Sequence, residues 1–298
     1  TFNANPLSAA AGSVCLEMLA SQPINQQADA AAQRAAFRSG QIDYTSITDI
    51  TEYEDLIATN PNSVIGAIPQ DPNVHTWILF QHNNPVLADV RVRRALSMGI
   101  DRKRINDTIT GGLWVASYPM NYDHMGYDQP LLLEECGPYW QYNPTEARRL
   151  LAEAGYGNGL EVELITTSPP ADTYLLIQEQ WREIGVNLKF VEQEATVVTA
   201  TRDSHRFPWM IIGTSISGYD MGKQAVELFA KDSPLNWGNV NDPVLEDLVW
   251  RSYYSLDPDE RVRLFRQIND RALDQVYHLW IRSTHRIHIR HPWLHNVA

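Results

Sequence analysis

Apolar and polar positions recur along this chain with two different periods, and the period changes several times between the two ends. Residues 28–39 are rich in Ala and Arg and run into Gly40, which predicts a short helix closed by a left-handed glycine. Residues 42–47 then read as a short strand and 52–59 as a helix. Residues 74–80, with Trp77, Ile78 and Leu79 in succession, read as a buried strand.

Helix starts are marked further on by side chains that accept hydrogen bonds from the free amides of a first turn. Asp89 caps a predicted helix running to 99, and Asp101 caps a second running to 109. At 143–146 the order Asn143, Pro144, Thr145, Glu146 is a full start signal, followed by Leu150, Leu151 and the stop at Gly155. Residues 160–165 alternate as a strand, 172–184 form an amphipathic helix ending at Gly185, and 186–191 alternate again. Such a βαβ unit pairs its two strands in parallel with the helix against one face. Residues 208–212 predict a further strand, followed by a glycine-containing loop at 213–222. Helices follow at 223–230, 243–254 and 258–276, and a final strand spans 278–289. There is no internal repeat, low-complexity tract or long charged tail.

The 298 residues are enough for one or two globular units, and 44% hydrophobic with 20% charged residues is the balance of a folded protein. A formal net charge of -12 repels phosphate backbones and anionic headgroups, so nucleic acid is not an expected partner. No apolar run approaches the roughly 20 residues that span a bilayer. The opening residues show no basic and apolar leader, so an exported protein would already have lost its signal. Cys15 and Cys136 are too few for a disulfide framework and too far apart for a zinc site. They read as two separate buried thiols, with a bridge between them left open.

The segment 85–102, PVLADVRVRRALSMGIDR, resembles the signature that opens the second lobe of family-5 extracellular solute-binding proteins, the peptide- and oligosaccharide-binding components of ABC transporters. Three further segments fall in that family's order: AFRSGQIDY at 36–44, YNPTEARRLLAEAGYGNG at 142–159 and IQEQWREIGVNLKFVE at 177–192. The resemblance covers residues 28–298. It implies an α/β fold, a periplasmic-binding-protein-like clamshell of type II with one complete lobe and a partial first lobe. Residues 1–82 are then part of the first lobe, 83–280 the complete, ligand-contacting second lobe, and 281–298 a return to the first. Family members place much of their first lobe between the segments matching 1–20 and 28 onward, so that portion is expected to be missing.

What the resemblance implies is capture rather than catalysis. A small polar ligand, an oligosaccharide or a short peptide, would shift an equilibrium between open and closed lobes and be delivered to an ABC transporter permease. No cofactor is expected, the chain would be a monomer, and it would work in the periplasm or outside the cell, with lipid anchoring left open. Residues 80–83 and 278–283 are the expected hinge strands. In peptide-binding relatives an aspartate after the strand matching 210–213 anchors the ligand's amino group, and here Ser217 stands at that position. A neutral hydroxyl cannot replace a charge-assisted contact, which weakens the case for a free amine unless Asp220 substitutes.

Candidate ligand contacts are Thr214, Ser215, Ser217, Tyr219 and Asp220 in the glycine-containing loop, with Gln81 and His82 in the strand leaving the first lobe. Trp114, Trp209 and Trp237 lie beside loops or strand ends, where flat rings can meet a ligand. Trp77, Trp181 and Trp280 read as core. His285, His288, His291 and His295 lack metal-site spacing and read as solvated or edge-strand histidines. A serine hydrolase on 213–218 is the enzymatic alternative, although a serine occupies the second glycine position of a nucleophile elbow. Glycines 155, 157 and 159 follow a helix and precede a strand, the reverse of a dinucleotide fingerprint. Arg91, Arg93 and Arg94 spread over different helix faces, so they make no basic patch. A non-transport interaction module is the remaining class, recognisable by an exposed apolar face in place of a cleft.

Overall fold

The structure, a computed structural model, describes residues 30–47, 50–68, 75–111, 116–214, 220–283 and 286–294. In chain order the elements are α1 (Ala30–Arg38), β1 (Tyr44–Ile47), α2 (Ile50–Thr59), β2 (Val64–Ile68), β3 (His75–Phe80), α3 (Pro85–Ala88), α4 (Val90–Met98) and α5 (Arg102–Thr110). Two 3-10 turns, Leu133–Cys136 and Pro138–Trp140, precede α6 (Pro144–Glu153), β4 (Leu160–Thr167), α7 (Asp172–Glu183), β5 (Val186–Gln193) and α8 (Ala195–Asp203). The chain continues through β6 (Met210–Ile212), α9 (Met221–Phe229), α10 (Pro243–Tyr254), α11 (Pro258–Gln275), β7 (His278–Ser283) and β8 (Arg286–Arg290).

Contacts divide the chain into two compact units. One comprises Thr1–Ile47, Glu52–Gly66 and His288–Ala298, and the other essentially Ala67–Ile287. The smaller unit holds a three-stranded sheet in the order β1-β8-β2. Phe37, fully buried, stacks on His291 at 4.3 Å between ring centroids, and Trp293 stacks on the same imidazole at 4.2 Å. His291 Nε2 donates to the Phe37 carbonyl at 3.0 Å, and Tyr44 pairs with His288. The expectation of solvated or edge-strand histidines is therefore corrected for this pair: β8 is the central strand, and His291 is buried between two rings. His285 and His295 lie outside the described residues.

The larger unit is built on a five-stranded sheet in the order β5-β4-β6-β3-β7. β4 pairs in parallel with β5, Leu160 opposite Val186, and with β6, Leu164 opposite Met210. β3 runs antiparallel to both β6 and β7. Alternation along each strand divides the core in two. Ile78, Phe80, Val162, Leu164 and Leu279 face a cluster with Val92 and Leu96 of α4, Leu150 of α6 and Trp181 of α7. Trp77, Leu79, Ile165, Ile211 and Trp280 face the other side, against α9, α10 and α11.

Two buried arginines tie the helices together, and one of them, Arg102, also reaches this sheet. Arg102, 1% exposed, donates to the carbonyls of Trp280, Ser97 and Trp140 at 2.9, 3.1 and 3.3 Å and lies over the Trp140 ring. Arg93 donates to the carbonyls of Leu87, Ala88, Gln275 and Val276 and so satisfies the ends of α3 and α11. Burial pushes their pKa values down to about 9 and about 10, still charged at neutral pH. Arg94 pairs with Asp274, and Arg91 with Asp89, so the three arginines of α4 do point to separate partners.

The predicted strand at 278–289 is two strands. β7 pairs with β3 in the larger sheet, whereas β8 pairs with β1 and β2 in the smaller one. Residues 80–83 and 278–283, expected as hinge strands, both lie inside the larger unit, where β7 pairs with β3.

Candidate functional site

The connections around β4 create a topological switch. From β4 the chain leaves through α7, whose Tyr174, Ile177 and Trp181 pack on one face of the sheet. From the neighbouring strand β6 it leaves toward α9, whose Met221, Ala225 and Leu228 pack on the other face. Adjacent parallel strands whose following segments part to opposite faces leave a crevice outside their carboxyl ends, where open α/β sheets hold ligands. Here the crevice is bounded by Thr166 and Thr167 of β4 and by Gly213 and Thr214 after β6. Thr166 is fully buried, and its Oγ1 has no hydrogen-bond partner among the described residues.

A close approach fixes the floor of this edge. Gly213 N donates to the Trp77 carbonyl at 2.9 Å, and Trp77 Nε1 donates to the Thr214 carbonyl at 3.0 Å. A Cβ on Gly213 would lie 2.3 Å from Trp77 Cε2, so only glycine fits. Trp77 stacks on Trp280 with centroids 4.5 Å apart and planes at 2°. His75 meets the Trp280 edge and bonds to Ser117 at 2.8 Å.

The sequence-named candidates among the described residues are not gathered at one place. Thr214 is at the carboxyl edge. Gln81, His82, Trp209 and Trp237 lie at the opposite edge, because β3 is antiparallel to β6 and places its end beside the start of β6. There Gln81 is buried, its Nε2 donating to the His205 carbonyl at 3.0 Å and its Oε1 accepting from Asn239 at 2.8 Å. His82 Nε2 donates to the Tyr277 carbonyl at 2.9 Å, and burial and the Arg93 charge push its pKa down to about 3. Trp237 is buried with the Arg202 guanidinium 5.0 Å above its ring, and Trp209 is half-buried beside the α4–α7 cluster. Asp220 caps α9, accepting from Gly222 N at 2.8 Å and Lys223 N at 3.1 Å, and pairs with Arg261 at 3.0 Å. Ser215, Ser217, Tyr219 and Trp114 lie outside the described residues, as does Cys15.

Sequence reasoning missed Thr166, Trp77 and Gly213 as a set, since their proximity exists only once β3, β4 and β6 are neighbours. Cys136 offers no nucleophile: it is free and buried, and burial pushes its thiol up to about 12. Among the described residues, no helix is long and apolar enough to cross a membrane.

A mixed sheet with helices on both faces and a topological switch between β4 and β6 defines the class of the molecule as an open α/β fold rather than a closed barrel or bundle. Its particular relatives agree. Residues 21–236 match the family model "Bacterial extracellular solute-binding proteins, family 5 Middle". The chain belongs to this family. It is 28% identical over 258 residues to the periplasmic oligopeptide-binding protein OppA of Escherichia coli, covering 81% of this chain and 46% of that protein. Among solved structures, HbpA2 from Haemophilus parasuis superposes with a TM-score of 0.74 at 22% identity, covering 89% of this chain and 52% of the other. AppA from Bacillus subtilis in complex with a nonapeptide superposes at 0.70 with 18% identity, covering 91% and 56%. The fold is that of type II periplasmic binding proteins. The chain spans less than half the length of the curated relatives it matches.

Proposed function

We propose that this chain supplies a ligand-contacting part of a non-enzymatic solute-binding protein that captures a short peptide outside the cytoplasm, in the periplasm or extracellularly, and passes it to an ABC transporter. The observation that carries this reading is the strand order, which sets the carboxyl ends of the parallel strands β4 and β6 side by side while α7 and α9, which follow them, pack on opposite faces. Ser215, Ser217 and Tyr219 follow Thr214 in the sequence and are proposed ligand contacts. Peptide is favoured over oligosaccharide because the similar OppA is named an oligopeptide-binding protein and the similar AppA holds a nonapeptide.

The test is a thermal-shift panel of di- to pentapeptides beside di- to pentasaccharides. A ligand that binds only the native state adds about 2.7 kcal/mol at a concentration of 100 Kd, enough to raise the melting temperature visibly. A reproducible rise with peptides supports the reading. A rise with sugars alone reassigns the ligand, and no rise with folded protein across the panel counts against capture of either class.

A further inference from the structure

α10 turns aromatic rings to solvent where the outer face of a surface helix usually carries charge. Its inner positions Leu245, Val249 and Ser252 are buried, whereas Trp250, Tyr253 and Tyr254 are 36, 44 and 70% exposed, and Leu256 just beyond the helix is 97% exposed. Spacings of three and four residues set the two tyrosines beside the tryptophan. Trp250 and Tyr254 stack with centroids 5.8 Å apart and planes at 19°, and Tyr253 meets both edge-on at 6.1 and 5.1 Å. Trp250 Nε1 donates to Glu246 Oε1 at 2.7 Å, so the indole is held in place with its polar edge satisfied. What the cluster still offers a partner is ring face. Exposed rings gathered in one place, rather than scattered singly, mark an interaction surface.

Charge decides what that partner is. Residues 243–260 carry five carboxylates, Glu246, Asp247, Asp257, Asp259 and Glu260, against one cation, Arg251. Arg251 is already flanked by two of the five, Asp247 and Glu260, each at 3.5 Å. On the neighbouring helix α9, Lys223 is paired with Glu227 at 2.6 Å. The surface around the rings is therefore acidic beyond its own cations. A second copy of this chain would present the same acidic face, and an anionic bilayer the same sign of charge, so both are repelled. A cation is attracted twice, by the carboxylates and by the negative faces of the rings. Among cationic side chains, the planar guanidinium stacks on aromatic rings and pairs with carboxylates through a fixed fork, whereas a lysine ammonium meets them as a hydrated point charge.

We propose that the Trp250, Tyr253 and Tyr254 face of α10 is a docking surface for an arginine-bearing segment of another protein. The rings receive the guanidinium and the surrounding carboxylates balance its charge. This face shares no residue with the β4–β6 crevice, and its test is independent of peptide capture.

The test uses the full chain and two probes of equal charge, tetra-arginine and tetra-lysine, each acetylated and amidated so that no free terminus imitates a captured peptide. The Trp250 indole N–H cross-peak, identified by its loss in Trp250→Phe, reports from within the cluster. It is expected to shift saturably with tetra-arginine, at an affinity at least about threefold above that of tetra-lysine. The double variant Tyr253→Ser, Tyr254→Ser is expected to bring the two affinities together, and the single variant Tyr254→Ser, at the most exposed ring, to narrow the difference at an unchanged melting temperature. Asp247→Asn is expected to weaken both probes alike, since it removes charge and no ring. An unmoved cross-peak, equal affinities in the wild type, or an arginine preference that survives the loss of both tyrosines overturns the proposal. Two other occupants would also overturn it. Sedimentation of the free chain as a dimer that Tyr254→Ser dissociates gives the face to a second copy, and a shift with phosphatidylcholine vesicles but not with tetra-arginine gives it to a lipid surface.

Discussion

At Gly213 the constraint is the ring of Trp77. Because a methyl there would sit 2.3 Å from Trp77 Cε2 and Nε1, Gly213→Ala must push the indole away or bend the strand end. Overpacking of this kind costs about 1–3 kcal/mol. The displaced ring also loses its parallel stack on Trp280. The expected outcome is a lower melting temperature together with loss of the coupled-indole signal in near-ultraviolet circular dichroism, and an unchanged spectrum would show that the contact has slack. His82 sets a different constraint. It is half-buried and held neutral by desolvation, with the Arg93 charge opposing its protonation and the neighbouring His278 likewise held well below the usual histidine range by burial. The unfolded chain protonates both near 6.5, so stability is full above that pH and falls as pH drops from about 6.5 toward the folded value near 3. His82→Gln should flatten the decline in melting temperature between pH 7 and pH 5, and a variant with the wild-type slope would assign the decline to other groups.

Among the elements, those with local start signals are legible in the sequence itself. Asn143 accepts from Glu146 N at 3.0 Å and Asp242 from Val244 N at 2.9 Å, and α6 and α10 begin where those caps place them. The βαβ unit of β4, α7 and β5 is legible for the same reason, its periods and glycine stops being local. α8 is not: five of its nine residues are Thr or Val, and no side chain caps it, so its helix depends on Val198 entering the core. β2 carries a glycine in its middle, and the break between β7 and β8 answers to two different sheets. The switch crevice is illegible because it follows from strand order, although the glycine-containing segment beside it stands out. Asp220 shows how a site residue and a cap look alike in sequence. Its carboxylate already serves two amides of α9 and Arg261. Asp220→Ala should cost about 1 kcal/mol, a fall of a few degrees by thermal melting. Asp220→Asn should keep most of that stability and leave trialanine affinity unchanged; a selective loss of affinity in Asp220→Asn would make the carboxylate a ligand contact.

Across the whole molecule, the two units differ in what they can bury. The larger one has helices on both faces of a five-stranded sheet and two extensive apolar clusters. The smaller one rests on three strands and a few enclosed apolar side chains, chiefly Phe37, Ile47, Leu56 and Ile289 among the described residues. Apolar burial scales the stability a unit can hold against its chain entropy, so the small unit opens at lower free energy than the large one. Native-state hydrogen exchange should therefore label the ladder amides of β1, β2 and β8 well before those of β4, β5 and β6. Trp293 offers an independent reporter, since the other eight tryptophans fall within the larger unit. The fluorescence difference between the wild type and Trp293→Phe should show a lower denaturant midpoint than the summed signal of the rest. Coincident midpoints and uniform exchange would mean that the two units unfold as one cooperative body, with the small sheet drawing stability from contacts beyond its own core.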